Sequence, residues 1–298
     1  MELKFAAIDI GSNAIRLLLS KVFENGNEPY FKKESLIRMP VRLGDEAFST
    51  HIISDTKIEK LLNTLIGFKY LIDAYQPIDL LACATSAMRE AQNGPEIISQ
   101  IRTKTGINLE IVDGKKEASI IYANHIEQHL KKTNTYLYVD VGGGSTELTL
   151  FTKKKTALSK SFDIGTVRLL NKLVHQSQWD EMKQWIKNAT VEYDTITGIG
   201  SGGNINKIFR LAAKKDNKPL NYKEISSIYD DLKILSFEER IRELGLRPDR
   251  ADVILPASEI YLSVMEWAKI KKIYVPQIGL ADGLIHIMYE KYKAAQES

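Results

Sequence analysis

The chain begins the same way twice. An apolar run closes on Asp9-Ile10, followed by Gly11-Ser12-Asn13 and an alternating run from Ile15 to Val22. Far downstream TYLYVDV closes on Asp140-Val141, followed by Gly142-Gly143-Gly144-Ser145-Thr146 and a second run from Glu147 to Phe151. Strand, aspartate, apolar residue, glycine turn with serine, strand: the recurrence of this pattern indicates two similar domains facing each other across a cleft. The length of 298 residues suits two cores, at about 150 residues each.

The intervening sequence supplies helices for both sheets. A third strand is expected near residues 29–38 after the turn Asn25-Gly26-Asn27. Ser54 reads as an N-cap before helical spacing through Ile58, Leu61, Leu62, Leu65 and Leu71. Strands are expected at 79–84 and 107–112, the first leading into the loop Thr85-Ser86 and a helical stretch. Asp113-Gly114 then opens a helix with Glu117 in its first turn. In the second half a hairpin tip at Lys153-Lys154-Lys155 leads to a strand over 156–163. A strand at 195–199 meets a third glycine turn, Gly198 to Asn204, with helices from Ile205 to the end. Sheet-first halves followed by helices predict an α/β protein with mixed sheets.

Bulk chemistry narrows the function classes. Net charge is only +3, so polyanion affinity must come from local clusters. The runs Lys131-Lys132, Lys153 to Lys155 and Lys214-Lys215 lack interleaved aromatics, which argues against nucleic acid. No apolar stretch approaches the roughly 18–20 residues of a membrane helix, and the N-terminus turns polar too early for a signal peptide. The single cysteine, Cys83, forms no internal disulfide, reads as a small buried hydrophobe and suits a reducing, cytoplasmic compartment. His125 and His129 are in H-I-E-Q-H rather than H-E-x-x-H and read as surface histidines.

The glycine turns carry the chemistry. Without side chains, backbone N–H groups approach a phosphate closely, and Ser or Thr adds a hydroxyl donor. A plain β-turn is the alternative for either turn alone; their pairing favours phosphate. The third turn, between strand and helix, also suits an anion, but it matches neither the dinucleotide fingerprint nor the P-loop. Asp9, Asp140 and Glu147 flank the first two turns. Carboxylates beside a phosphate cradle imply an intervening Mg²⁺, although Asp9 and Asp140 can instead accept N–H bonds within their own turns. Glu117 at a helix N-terminus reads as a capping residue or as a base held ionised by the helix dipole.

These segments together resemble the exopolyphosphatase / guanosine pentaphosphate phosphohydrolase family. The likeness runs through AAIDIGSNAIRLLL from Ala6, VRLGD from Val41, ATSAMREAQNG from Ala84, EIVDGKKEA from Glu110 and YVDVGGGSTEL from Tyr138. It continues through FDIGTVRL from Phe162, GIGSGGNINKI from Gly198, LGLRPDRADVILPA from Leu244 and GLADGLIHIMY from Gly279. The resemblance implies two ribonuclease H-like domains of the actin, sugar kinase and acetate kinase kind, with mixed sheets flanking a cleft. It implies that residues 1–116 with 280–298 form the first domain and 117–279 the second, the crossing making the cleft a hinge.

The resemblance also implies an activity: release of terminal phosphate from inorganic polyphosphate, or of the 5′-phosphate from guanosine pentaphosphate, with Mg²⁺. Glu117 falls on the catalytic carboxylate that activates the attacking water. Asp140 and Glu147 match acids tied to Mg²⁺ or to that water, with Asp9 as a further metal ligand. Gly11, Ser12, Asn13 and Gly142, Gly143, Gly144, Ser145, Thr146 match the phosphate loops, and Arg89 and Arg168 reach toward phosphate oxygens. The chain departs from the pattern at Lys116, Asn204 and Ala281, none of them a catalytic position. Longer relatives of the family carry C-terminal helical domains beyond the position matching Ser298 that extend a basic polyphosphate channel, so the resemblance leaves chain-length range and processivity open. A homodimer is compatible with the two-domain form. The rival readings are an ATP-dependent phosphotransferase in the same cleft and a non-catalytic sensor of polyphosphate or an alarmone.

Overall fold

The FAAIDI run from Phe5 is apolar except at Asp9 and is buried throughout, the mark of a strand covered on both faces rather than one facing water. In the computed structural model, which describes residues 2–24, 28–123, 134–152, 155–215 and 218–297, this run is the central strand of its sheet. The turn Asn25-Gly26-Asn27, His125, His129, Lys131, Lys132, Lys153 and Lys154 lie outside the described residues.

Backbone packing divides the chain into two units, Met1–His125 with Gly279–Ser298, and Ile126–Ile278. In the first, β1 (Glu2–Ile10), β2 (Ile15–Phe23) and β3 (Tyr30–Met39) form an antiparallel meander. β4 (Asp79–Ala84) and β5 (Leu109–Ile111) extend it in parallel, giving the order β3-β2-β1-β4-β5. The second unit repeats the plan. β6 (Thr135–Val141), β7 (Thr146–Thr152) and β8 (Lys155–Phe162) form the meander, and β9 (Ile196–Ser201) pairs in parallel with β6. β10 (Leu220–Asn221) and β11 (Lys272–Tyr274) complete the order β10-β11-β9-β6-β7-β8. Both units are therefore mixed-sheet α/β units, as the duplicated opening predicts.

The helix Leu280–Gln296 returns the chain to the first unit. A Cβ at Gly283 would fall 1.9 Å from the Ile120 carbonyl oxygen, so only glycine lets this helix lie against the helix Gly114–Tyr122. The helix carrying Glu117 falls in the first unit. The second unit buries Leu137, Val139, Val141, Leu148, Leu150 and Phe162 of its meander in one cluster with Met182, Ile205, Ile260 and Tyr261 of its helices.

Local reading fails at two short strands. Residues after the third glycine turn read as helices throughout, yet Leu220–Asn221 forms β10 and Lys272–Tyr274 forms β11, the two paired antiparallel and β11 running parallel to β9. Two or three residues are too few to show strand alternation, and their pairing is entirely non-local. Ser54 is the N-cap of Asp55–Tyr75 without a side-chain cap bond; its hydroxyl donates to Glu46 at 3.1 Å instead. Among the described residues no helix is long and apolar enough to cross a membrane.

Candidate active site

The two hairpins correspond residue for residue. In the first, Asp9 pairs with Arg16 and Ile10 with Ile15, and the Gly11 N–H closes the turn on the Ala14 carbonyl at 3.1 Å. In the second, Asp140 pairs with Glu147 and Val141 with Thr146, and the Gly142 N–H closes on the Ser145 carbonyl at 2.9 Å. Both strand pairs thus end in the same four-residue loop.

Each loop is clamped through its carbonyls. The Gly142 oxygen accepts from the Thr166 N–H at 3.0 Å, the Gly143 oxygen from the Val167 N–H at 2.8 Å, and the Gly144 oxygen from Arg168 Nε at 2.7 Å. In a trans peptide the carbonyl and the next N–H point in opposite directions. The N–H groups of Gly143, Gly144 and Ser145 are therefore turned away from the clamp, side by side, and among the described residues none of them donates a hydrogen bond. Successive N–H groups on one side of a turn are the kind of arrangement from which anion-binding concavities are built. The first loop follows the same logic: the Ser12 oxygen accepts from Gly44 N–H at 2.9 Å and the Asn13 oxygen from Arg42 N–H at 3.1 Å, which turns the Asn13 and Ala14 N–H groups outward.

Two glycines that were not singled out make the clamps possible. A Cβ on Gly165 would lie 2.4 Å from the Gly143 oxygen, and one on Gly44 would lie 3.0 Å from the Ser12 Cβ. Both stand in the quoted segments FDIGTVRL and VRLGD, but nothing in their local sequence shows what they pack against.

The side chains divide their duties differently from expectation. Ser12 is buried with its hydroxyl against that of Ser86 at 2.9 Å, and Thr146 is buried with its hydroxyl donating to the Ile164 carbonyl at 2.6 Å. Both hydroxyls bond within the protein and brace the loops from inside; Ser145 is buried as well. Arg168 is buried on the Gly144 carbonyl, so its guanidinium shapes the loop. Arg89 donates to the Val112 carbonyl at 2.9 Å, just before the Asp113 cap of the Glu117 helix.

Asp113 accepts from the Lys116 N–H at 2.7 Å, and Lys116 is paired with Glu110. Glu117 follows in the first helical turn, half-buried. Burial, then the charges of Asp9 and Glu117, push the Cys83 thiol on β4 well above its ordinary range. Asp9 itself is buried and bonded to Arg16 at 2.6 Å.

In the second unit Asp140 and Glu147 face each other across adjacent strands, where directly opposed side chains share a face. Glu147 is 2% exposed and accepts from Ser161 at 2.8 Å. Tyr261 is wholly buried with its hydroxyl donating to the Ser201 carbonyl at 2.5 Å, and burial, then the Asp140 charge, raises its phenol well above the usual value. At the third glycine turn a Cβ on Gly203 would meet the Arg250 guanidinium at 2.4 Å. Burial and then the charges of Arg210 and Arg250 lower the Lys207 ammonium.

Two repeated mixed-sheet units with paired glycine loops define the actin-like ATPase fold. The chain belongs to the Ppx/GppA phosphatase family, whose model matches residues 35–292. It is 28% identical over 285 residues to the bifunctional 3-dehydroquinate synthase/phosphatase of Fusobacterium nucleatum, covering 88% of this chain but 43% of that protein. Exopolyphosphatase 1 of Mycobacterium tuberculosis is 21% identical over 304 residues, covering 95% of this chain and 87% of the relative. The crystal structure of an exopolyphosphatase from Cytophaga hutchinsonii superposes with a TM-score of 0.83 at 22% identity, covering 97% of this chain and 98% of that one. That likeness establishes the fold.

Proposed function

We propose that the protein releases terminal orthophosphate from a phosphoanhydride chain, either inorganic polyphosphate or the 5′-phosphate of guanosine pentaphosphate. The supporting observation is the pair of matching clamped loops: each spends its carbonyls on a second segment, and the clamp of the second loop turns the N–H groups of Gly143, Gly144 and Ser145 to its other side. Phosphoryl transfer needs little covalent help, so fixed donors aimed at phosphate oxygens supply much of the stabilisation. Glu117 is the general base that orients and deprotonates water, a contribution of roughly 10²–10⁴-fold. The relatives' printed names support the substrate class; the present chain spans less than half of the bifunctional relative, and its own substrates are part of this proposal.

Among the described residues no three His, Cys, Asp or Glu side chains gather to hold a metal unaided. Mg²⁺ in phosphate sites commonly takes only one or two carboxylates, the substrate and water supplying the rest. The donor set at Asp140 and Glu147 fits that requirement. Asp9 does not, because Arg16 already holds its carboxylate. When bound, Mg²⁺ would neutralise phosphate charge at the second loop.

A phosphate-release assay with Mg²⁺ on short polyphosphate, long polyphosphate and guanosine pentaphosphate tests the reading. Release without any acceptor supports a hydrolase. Transfer of phosphate only to an added acceptor, or binding with no turnover, overturns it.

A further inference from the structure

The buried carboxylate of Glu147 is held from one side by a residue that sequence reasoning passed over. β8 lies antiparallel to β7 with Ser161 directly opposite Glu147, just as Asp140 on β6 lies opposite it from the other side. Directly opposed residues project from the same face, so Asp140, Glu147 and Ser161 form a row across three strands. The neighbours of Ser161 on β8 are directed elsewhere: Phe162 enters the apolar cluster and Lys160 pairs with Glu181 at 2.7 Å. Ser161 Oγ donates to Glu147 Oε1 at 2.8 Å, and Glu147 is 2% exposed.

A carboxylate so buried needs hydrogen-bond donors to satisfy its oxygens and hold it in one rotamer. It cannot rely on water to recentre it. Four residues beyond Ser161 the same segment supplies Gly165, and then the N–H groups and Arg168 side chain that clamp the Gly142–Ser145 loop. One stretch of chain therefore sets both the loop and the acid beside it.

We propose that Ser161 is a positioning residue for the hydrolytic site: its hydroxyl fixes the Glu147 carboxylate facing Asp140, in register with the second phosphate loop. This rests on the hydrolase reading above. Ser161 acts through Glu147, the acceptor of its hydroxyl. The substrate is anchored by loop N–H groups that Ser161 does not supply, so losing the hydroxyl disturbs turnover rather than substrate affinity.

The test compares the unaltered protein with Ser161→Ala and Ser161→Thr, the latter keeping a hydroxyl and suiting a strand. Expected are a kcat for phosphate release lowered about 5- to 50-fold in Ser161→Ala, KM within about twofold, an unchanged circular dichroism spectrum, and recovery to within about threefold in Ser161→Thr. An unchanged kcat in folded Ser161→Ala overturns the proposal, as does a Ser161→Thr protein that is folded and as slow as Ser161→Ala. Crystal structures of the unaltered protein and Ser161→Ala give a readout independent of turnover. A Glu147 carboxylate displaced in the variant supports the proposal, and one that keeps its place overturns it. Failure of the unaltered protein to release phosphate strikes the hydrolase reading instead, while the crystallographic comparison still decides what Ser161 does.

Discussion

Asp140 on β6 lies directly across from Glu147 on β7, two carboxylates on one face at the mouth of a glycine loop. The first hairpin has the same register but sets Arg16 opposite Asp9, bonded at 2.6 Å. The repeated units thus differ in charge where they are most alike in backbone. On the proposed Mg²⁺ reading the acidic pair is the seat of the cation, since Asp9 would have to give up its ion pair to serve.

That difference predicts where Mg²⁺ dependence resides. Asp140→Asn and Glu147→Gln are expected to raise the Mg²⁺ concentration for half-maximal phosphate release by about tenfold or more, since ligand loss commonly costs at least that. Asp9→Asn is expected to leave the Mg²⁺ requirement in place and to lower stability by about 1–2 kcal/mol, because Arg16 loses its charged partner but retains solvent contact. Mg²⁺ titrations and urea melts of the three variants check this. A Mg²⁺ curve shifted only by the Asp9 variant would reverse the assignment.

Glu117→Gln keeps the shape of the side chain and the Asp113 cap of its helix. The folded protein is expected to persist with an unchanged melting temperature, and phosphate release to fall roughly 10²–10⁴-fold. Turnover near that of the unaltered protein would remove Glu117 from the mechanism.

Gly165→Ala inserts a methyl 2.4 Å from the Gly143 oxygen, where backbone and not a flexible side chain must yield. Overpacking of this kind costs about 1–3 kcal/mol and pushes the clamp off the loop. Thermal melts are expected to show the loss of stability, and phosphate-release kinetics a raised KM because the loop N–H groups no longer converge. A variant with the original melting temperature and KM would show that the contact is relieved elsewhere.

Stability is expected to decline at alkaline pH. Cys83 and Tyr261 ionise near 9.0 and 10.0 when unfolded, but burial lifts both well above those values in the fold. A raised folded pKa leaves stability intact below the unfolded value and erodes it as pH climbs beyond, because only the unfolded chain releases the proton. Each group contributes a slope of up to about 1.4 kcal/mol per pH unit. Denaturant melts at pH 8 and pH 10.5 measure the fall, and Cys83→Ala is expected to lessen it. A melt midpoint that stays level across that range contradicts the buried, neutral state of both groups.

What the sequence determined by itself was the local chemistry: the two strand–glycine–strand hairpins, the strands at Asp79–Ala84 and Thr135–Val141, and the helix placing Glu117 in its first turn. Each depends on alternation, turn residues or caps within a few positions, and such preferences act before the chain folds back on itself. Tertiary structure decided the rest. Strand pairing gave Glu147 a hydroxyl, and packing against other segments turned Ser12 and Thr146 inward. Close packing made Gly165 and Gly283 indispensable, and it recruited Lys272–Tyr274 as a strand. These outcomes depend on which distant segment arrives alongside, and no residue carries that information in its own neighbourhood.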